Sequence, residues 1–270
     1  YFDEAEEIVD ESDNLDTLSF VFNYLGIYYR NQRKSKKSIR YFEKALKSLK
    51  KLNDRAKLAD IYNNMALTYS ITGKNDLAMN LSLKAEMIYK ELDERIRLSN
   101  LYGTIGNIKT NMAELEDAIK YYNLAKQGFL GEDMIAKYAQ VLILMAENNL
   151  AVNDLKESKI NLIEAKENTK NFSMPILKAR YSWLMSKINF LEDEFDDALE
   201  YIDESIDIFE EINNKIKLTD TLILKVQILL KMDKQNKAER IFKKAERIAE
   251  RLDDAQLNIT LESTAKLINT

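Results

Sequence analysis

Few residue types in this chain are equipped for chemistry. Histidine and cysteine are absent from all 270 residues, which removes Ser-His-Asp and Cys-His nucleophiles, imidazole bases, thiolate metal sites and disulfides. Acid–base or metal chemistry would then have to start from carboxylates such as the adjacent pairs Asp196-Asp197 and Asp253-Asp254. Both stand at turns and caps, where a local structural role explains them. Thr72-Gly73-Lys74 has part of the look of a phosphate loop, but the upstream glycine and the following Ser or Thr are missing. Gly73 falls where a helix must stop. No run of acids has the spacing of a calcium loop. The sequence therefore predicts no catalytic residue, no metal site and no cofactor. What is left is binding.

A chain that is 46% hydrophobic and 31% charged can bury a large core and is not disordered by composition. Six glycines and one proline are too few for a fold rich in tight turns, so an all-β architecture is excluded. No apolar run approaches the roughly 18 residues that span a bilayer, and no signal peptide is visible. The expectation is a cytoplasmic protein without membrane insertion. Because the chain opens on Tyr1 rather than Met, it is expected to be a piece of a longer protein.

The elements that position any binding residue follow a forty-residue period. Shifted by forty, the chain aligns Ala5, Ala45, Ala85, Ala125, Ala165, Ser205 and Ala245. Seven residues earlier runs a second small column, Ser38, Ala78, Ala118, Ser158, Ala198 and Ala238. Between them lies a mostly large apolar column of Phe2, Phe42, Ser82, Tyr122, Leu162, Ile202 and Phe242. A fourth column reads Gly26, Ala66, Gly106, Ala146, Ser186 and Val226. Ile39, Phe42, Ala45, Leu46, Leu49 and Leu52 recur at three and four, one stripe of an α-helix. Each unit is thus two antiparallel helices joined by a short polar turn. The column Asp13, Asn53, Asp93, Asp133, Ser173, Asn213 and Asp253 is predicted to supply N-caps. Leu52, Leu92, Phe172, Ile212 and Leu252 before it are predicted hydrophobic staples.

These motifs resemble the tetratricopeptide repeat family. Leu25, Gly26 and Tyr29, then Met65, Ala66, Tyr69, Gly73 and Ala78, then Ile105, Gly106, Ala118, Tyr122 and Ala125 match its small and large positions. The resemblance implies an all-α fold, an α-α superhelix: a right-handed solenoid of antiparallel helix pairs over residues 1–270. Residues 1–17 would be the second helix of a truncated repeat. Full repeats would follow at 18–57, 58–97, 98–137, 138–177, 178–217 and 218–257. Residues 258–270 would form a capping half repeat that covers Ile259, Leu261 and Leu267. The sequence departs from the family in its period of forty rather than the usual thirty-four, in lacking the helix-ending proline, and at Lys225-Val226.

In that family the first helix of each pair lines a concave groove that binds extended peptides or partner helices. Projected here, the N-terminal half of the groove offers Asn23, Arg30, Asp60, Asn63, Asn100, Asn107 and Thr110. The C-terminal half offers Gln140, Ile143, Glu147, Arg180, Trp183, Lys187, Asp220, Ile223 and Gln227. The amides can pair with a peptide backbone regardless of its sequence, and Trp183 with Ile143 and Ile223 would make an apolar platform. The family's lysine-and-arginine carboxylate clamp is not reproduced, since Ile27, Leu67 and Gly103 hold its positions. The expected function is a protein- or peptide-binding scaffold. The alternative is the ligand- or peptide-sensing region of a bacterial signalling protein or transcription regulator, with the output domain elsewhere. The Lys-, Asn- and Ile-rich composition suits an AT-rich bacterium.

Charge is unevenly spread. Arg30 to Lys51 holds ten basic residues against one glutamate, and residues 192–211 hold eleven acids and no base. The basic stretch keeps its apolar stripe and so rides outward on a helix. It lacks the aromatic interleaving of a nucleic-acid surface, so no nucleic acid is expected to bind directly. The two stretches are expected to attract weakly, either between copies or against another domain of the intact protein, steering more than holding.

Overall fold

The computed structural model describes residues 14–132, 134–169, 174–250, 252 and 255–268. Among them are thirteen helices and no strand, and no described helix is long and apolar enough to cross a membrane. Two compact units, residues 1–134 and 135–270, divide the chain.

In unit 1 the helices are α1 (Leu15–Asn31), α2 (Ser35–Leu52), α3 (Arg55–Ile71), α4 (Asn75–Glu91), α5 (Arg95–Asn111) and α6 (Leu115–Gly131). They pack as the pairs α1–α2, α3–α4 and α5–α6. Successive pairs touch through α2–α3 and α4–α5, and the first helices also touch one another. In unit 2 the pairs are α7 (Ile135–Ala151) with α8 (Leu155–Asn168), α9 (Pro175–Leu191) with α10 (Phe195–Glu211), and α11 (Lys215–Lys231) with α12 (Gln235–Ala249). Helix α13 (Ala255–Ile268) lies on α11 and α12. It buries Leu257 and Leu261, while Ile259 and Leu267 face outward, against the expectation that all three apolar residues there are covered.

The small columns are the reason the pairs close. Ala45, Ala85, Ala125, Ala165, Ser205 and Ala245 are all 0% exposed, as are all six residues from Ser38 to Ala238 in the second small column. Across each pair a small residue receives a large one. A Cβ on Gly26 would overlap the Phe42 ring, and one on Gly106 the Tyr122 ring. Where serine replaces alanine, its hydroxyl donates to a carbonyl of the facing helix: Ser38 Oγ to Gly26 O at 2.8 Å, Ser158 Oγ to Ala146 O at 2.9 Å, Ser186 Oγ to Ala198 O at 2.7 Å. The buried hydroxyl is thereby satisfied, which offsets its desolvation. Ser82, standing where other repeats have a large apolar residue, is buried with no partner for its hydroxyl.

The turns correct one prediction. Asn53, Asp93 and Asn213 are not N-caps: their φ angles are 56°, 53° and 52°, the left-handed region. The caps stand one residue later, with Asp54 Oδ1 accepting from Lys57 N at 3.0 Å and Asn214 Oδ1 from Lys217 N at 3.2 Å. Asn14 does the same for α1. A left-handed residue is needed to close each helix. The N–H after it then reaches back five residues, as in Glu94 N to Tyr89 O at 2.9 Å and Asn214 N to Phe209 O at 2.9 Å. Asn and Asp tolerate that conformation better than most side chains. The turns inside the pairs follow the same rule at Arg33, Gly73, Ala113, Asn153, Asp193 and Asp233. Asp13, Asp133, Ser173 and Asp253 of the predicted cap column, and the predicted staple Phe172, lie outside the described residues. Leu52 and Leu92 are exposed rather than stapled, whereas Ile212 and Leu252 pack partly against the core.

Candidate functional site

In unit 1 the free face of the first helices is a row of amides held by internal hydrogen bonds. Asn23 Oδ1 accepts from Asn64 Nδ2 at 3.0 Å, joining α1 to α3, and Asn64 Oδ1 in turn accepts from Arg30 Nη1 at 3.3 Å. Asn111 Nδ2 donates to Ser70 Oγ at 2.8 Å, joining α5 to α3. Asp60 accepts from the Tyr89 hydroxyl at 2.7 Å and lies 3.4 Å from Arg97 Nε. Burial raises the Asp60 carboxyl above its ordinary range despite the opposing pull of Tyr89 and Arg97. The Tyr89 hydroxyl is pushed up too, by burial and then by Asp60. Asn107 Oδ1 accepts from the Tyr122 hydroxyl at 2.9 Å, and Asn100 Nδ2 donates to Ile96 O at 2.9 Å.

Two features in this row stand open. Asn63 Oδ1 is buried with no hydrogen-bond partner. Gly103, its counterpart one repeat later, is buried, yet a Cβ there would meet nothing within 4 Å. A buried acceptor without a donor carries a desolvation cost of about 1–3 kcal/mol. A ligand N–H would relieve it.

In unit 2 the same columns carry charge and an indole. Arg180 Nη2 and Nε both reach Glu147 Oε1, at 2.7 and 3.2 Å, tying α9 to α7. One turn on, half-buried Trp183 packs against the cluster of Ala198, Ile202, Leu224 and Ile228, and its Nε1 is buried without a partner. Lys187 Nζ sits 5.4 Å from the Trp183 ring centroid. Burial lowers the Lys187 pKa, with Glu147 pulling the other way. Gln140 is exposed and Gln227 half-buried.

The apolar platform is not formed. Ile143 is 0% and Ile223 4% exposed, because both are drawn into the core where first helices pack on each other. The free stripe is narrower than periodicity implies. Sequence reasoning passed over Asn64 and Arg97, and it took Tyr122 for an apolar filler when its hydroxyl fixes Asn107. It also passed over the exposed pair Phe20 and Tyr24, whose rings lie 4.5 Å apart on α1. Two aromatics at i and i+4 on the first helix were the available signal.

The two charged stretches are partly spent within the molecule. Lys37 stands over Tyr29 at 5.0 Å, and Lys44 over Phe22 at 5.0 Å and Tyr41 at 5.2 Å. Glu192 pairs with Lys159, Glu204 with Lys178 at 2.7 Å, Asp203 with Lys225 and Glu210 with Lys244. Among the described residues no group of three or more metal-ligating side chains converges.

A model of the family "soluble NSF attachment protein, SNAP" matches residues 21–171, more than half of the chain. Among curated proteins, none matches this sequence. Solved structures share the fold. A Rap protein complexed with competence and sporulation factor has a TM-score of 0.74 at 16% identity, covering 99% of this chain and 80% of that one. The Rap conjugation gene regulator of plasmid pLS20, in complex with the Phr* peptide, has a TM-score of 0.70 at 15% identity, covering 93% and 73%. A signal transduction ATPase with a tetratricopeptide repeat sensor, from Pyrococcus horikoshii, has a TM-score of 0.66 at 19% identity. That match covers 88% of this chain but only 38% of the ATPase.

Proposed function

This chain belongs to the soluble NSF attachment protein family, and on that footing we propose that it is a peptide- or protein-binding module of long tetratricopeptide-type repeats. Its binding surface is the free face of the first helices, and its ligand an extended peptide or a partner's segment. The observation that carries this reading is the open space over Gly103 on a first helix, where a Cβ would meet nothing within 4 Å. Asn23, Asp60 and Asn107 are already fixed by Asn64, Tyr89 and Tyr122 respectively, so little side-chain entropy is lost when a peptide pairs with them. The two Rap structures, solved with a factor and a peptide bound, support it by analogy of fold.

The test is selection of peptides from a displayed random library against the whole chain. Enriched peptides are then titrated against wild type and Gly103→Tyr, which fills the space. Enrichment followed by a loss of at least about tenfold on Gly103→Tyr is the expected result for a contact of this size. No enrichment, or equal binding to both proteins, sinks the proposal.

A second reading is a sensory region whose ligand controls an output domain elsewhere. It is favoured by the likeness to part of the Pyrococcus ATPase, a longer chain that carries a tetratricopeptide repeat sensor. A change in hydrogen exchange across both units on peptide addition, rather than at the contact residues alone, would distinguish the sensor from the plain scaffold.

A further inference from the structure

Among the described residues, the second helices of successive repeats within a unit bring no Cα atoms within 8 Å of each other. Between α4 and α6 in unit 1, and between α10 and α12 in unit 2, this leaves a channel over the first helix that lies between them. In unit 2 the channel between α10 and α12, over α11, encloses about 780 Å³. Its apolar part is Leu199 of α10, Leu229 of α11 and Ile241 of α12. Along its α12 wall Lys237, Arg240, Lys244 and Arg247 follow at steps of three, four and three, which places them on one helix face.

The charge of this channel is not balanced, although Glu239 also lines it: seven lysines and arginines face two acids, Asp203 and Glu239. Lys225 is neutralised by Asp203 and Lys244 by Glu210, both from α10. Lys237, Arg240 and Arg247 are exposed, and among the described residues no carboxylate stands within ion-pair distance of them. The corresponding channel of unit 1, between α4 and α6 over α5, encloses about 420 Å³ and is balanced. There Lys109 pairs with Glu114, Lys120 with Asp117 at 2.8 Å and Lys90 with Glu86 at 2.8 Å. Moved on by three repeats, Glu114 becomes Lys234, Asp117 becomes Lys237 and Leu124 becomes Lys244. The shape is generic to the repeat. Of these two channels, the α10–α12 one carries the surplus of positive charge.

We propose that the α10–α12 channel receives an acidic amphipathic helix of a partner protein. A channel of about 780 Å³ between two helices can seat about two turns of a third helix of roughly 10 Å diameter. The half-buried Leu199 and Ile241 would take its apolar stripe, and Lys237, Arg240 and Arg247 the carboxylates beside it. A single-stranded nucleic acid fits less well, because no aromatic ring lines the channel for bases to stack on. This site lies on the second helices and does not depend on the peptide reading of the first helices.

The probe is a fluorescein-labelled synthetic helix with leucines on one stripe and glutamates flanking it, titrated by anisotropy against the whole chain. The expected result is salt-sensitive binding that weakens at least about tenfold in Lys237→Glu/Arg240→Glu. Lys120→Glu in the balanced channel and Gly103→Tyr on the first helices should leave it unchanged. The changed side chains are exposed, so the double variant keeps its fold. An unchanged circular dichroism melt confirms that. Failure of the acidic helix to bind, or equal binding by the double variant, overturns the proposal. A dT20 oligonucleotide that binds at least as tightly and loses the same factor overturns it in favour of nucleic acid. Dimerisation of the chain alone, abolished by the same variant, overturns it in favour of a second copy.

Discussion

Position by position, Asn63 of α3 is the counterpart of Trp183 in α9, and Asn107 of α5 that of Glu147 in α7. The buried columns beneath them hardly change: Ala85 and its counterpart Ser205 are both 0% exposed, as are Ala78 and Ala198. Unit 1 presents amides held by amides and tyrosine hydroxyls. Unit 2 presents an ion pair, an indole and a lysine. The scaffold is specified by side-chain size at a few columns and the binding face by side-chain chemistry at others, so the two can vary independently along one chain.

The largest effect tests the shared half of that comparison. Gly106→Leu in unit 1 drives a side chain into the Tyr122 ring, and Ala146→Leu at its counterpart in unit 2 fills a site with no exposure. Each should cost about 1–3 kcal/mol or more by overpacking, read by urea denaturation. If one variant falls and its counterpart does not, the units do not close by the same rule.

Next comes the difference itself. Arg180→Ala leaves Glu147 half-buried without its bidentate partner and should cost about 1.5–3 kcal/mol, the range for hydrogen bonds to charged groups. Asn64→Ala removes neutral bonds to Asn23 and a weaker one from Arg30 and should cost about 0.5–1.5 kcal/mol. Adding Glu147→Ala to Arg180→Ala should recover part of the first loss, whereas full additivity would show that the pair does not act as one unit.

How far the fold is legible in the sequence follows from the same division. Volume at Ala45, Phe42 and Gly26 is written in residue identity and repeats without gaps, so the helix pairs can be read directly. Backbone φ is written only weakly. Asn53, Asp93 and Asn213 suit an N-cap and a left-handed turn equally well, and only the count of atoms needed to reverse the chain decides for the turn. Site residues were legible as positions, not as partners: nothing local to Asn107 says that Tyr122, fifteen residues on, will donate to it. The α12 cations were hidden because Glu239, Glu246 and Glu250 interleave with them. A window count sees a mixed segment, whereas only Glu239 of the three lines the channel beside the cations.

A smaller effect separates two glycines of one helix. Gly103 and Gly106 are a single turn apart on α5, but only Gly106 is pressed by a ring. Gly103→Ala should stabilise unit 1 by about 0.5–1 kcal/mol through helix propensity, where Gly106→Ala destabilises. A loss at both would mean that the space over Gly103 is filled in solution.

The smallest expected effect is a pair of opposite pH dependences, one from each unit. Asp60 has its pKa raised by burial. Stability linked to it is fully present below the ordinary carboxylate range and is lost as pH rises through the raised value. Asp60→Asn keeps an acceptor for the Tyr89 hydroxyl and should therefore stabilise at pH 7, with the gain shrinking as the solution is acidified. Lys187 has its pKa lowered by burial. Its linked stability is present above the ordinary lysine range and is lost as pH falls through the lowered value. Lys187→Met should also stabilise at pH 7, and its gain should shrink as pH rises. Denaturation of both variants across pH 3–11 checks this, because the two gains must fade at opposite ends of the scale. Gains that fade together would mean that the Asp60 and Lys187 effects come from shape rather than charge, and the chemical contrast between the units would then rest on Trp183 and the Arg180–Glu147 pair.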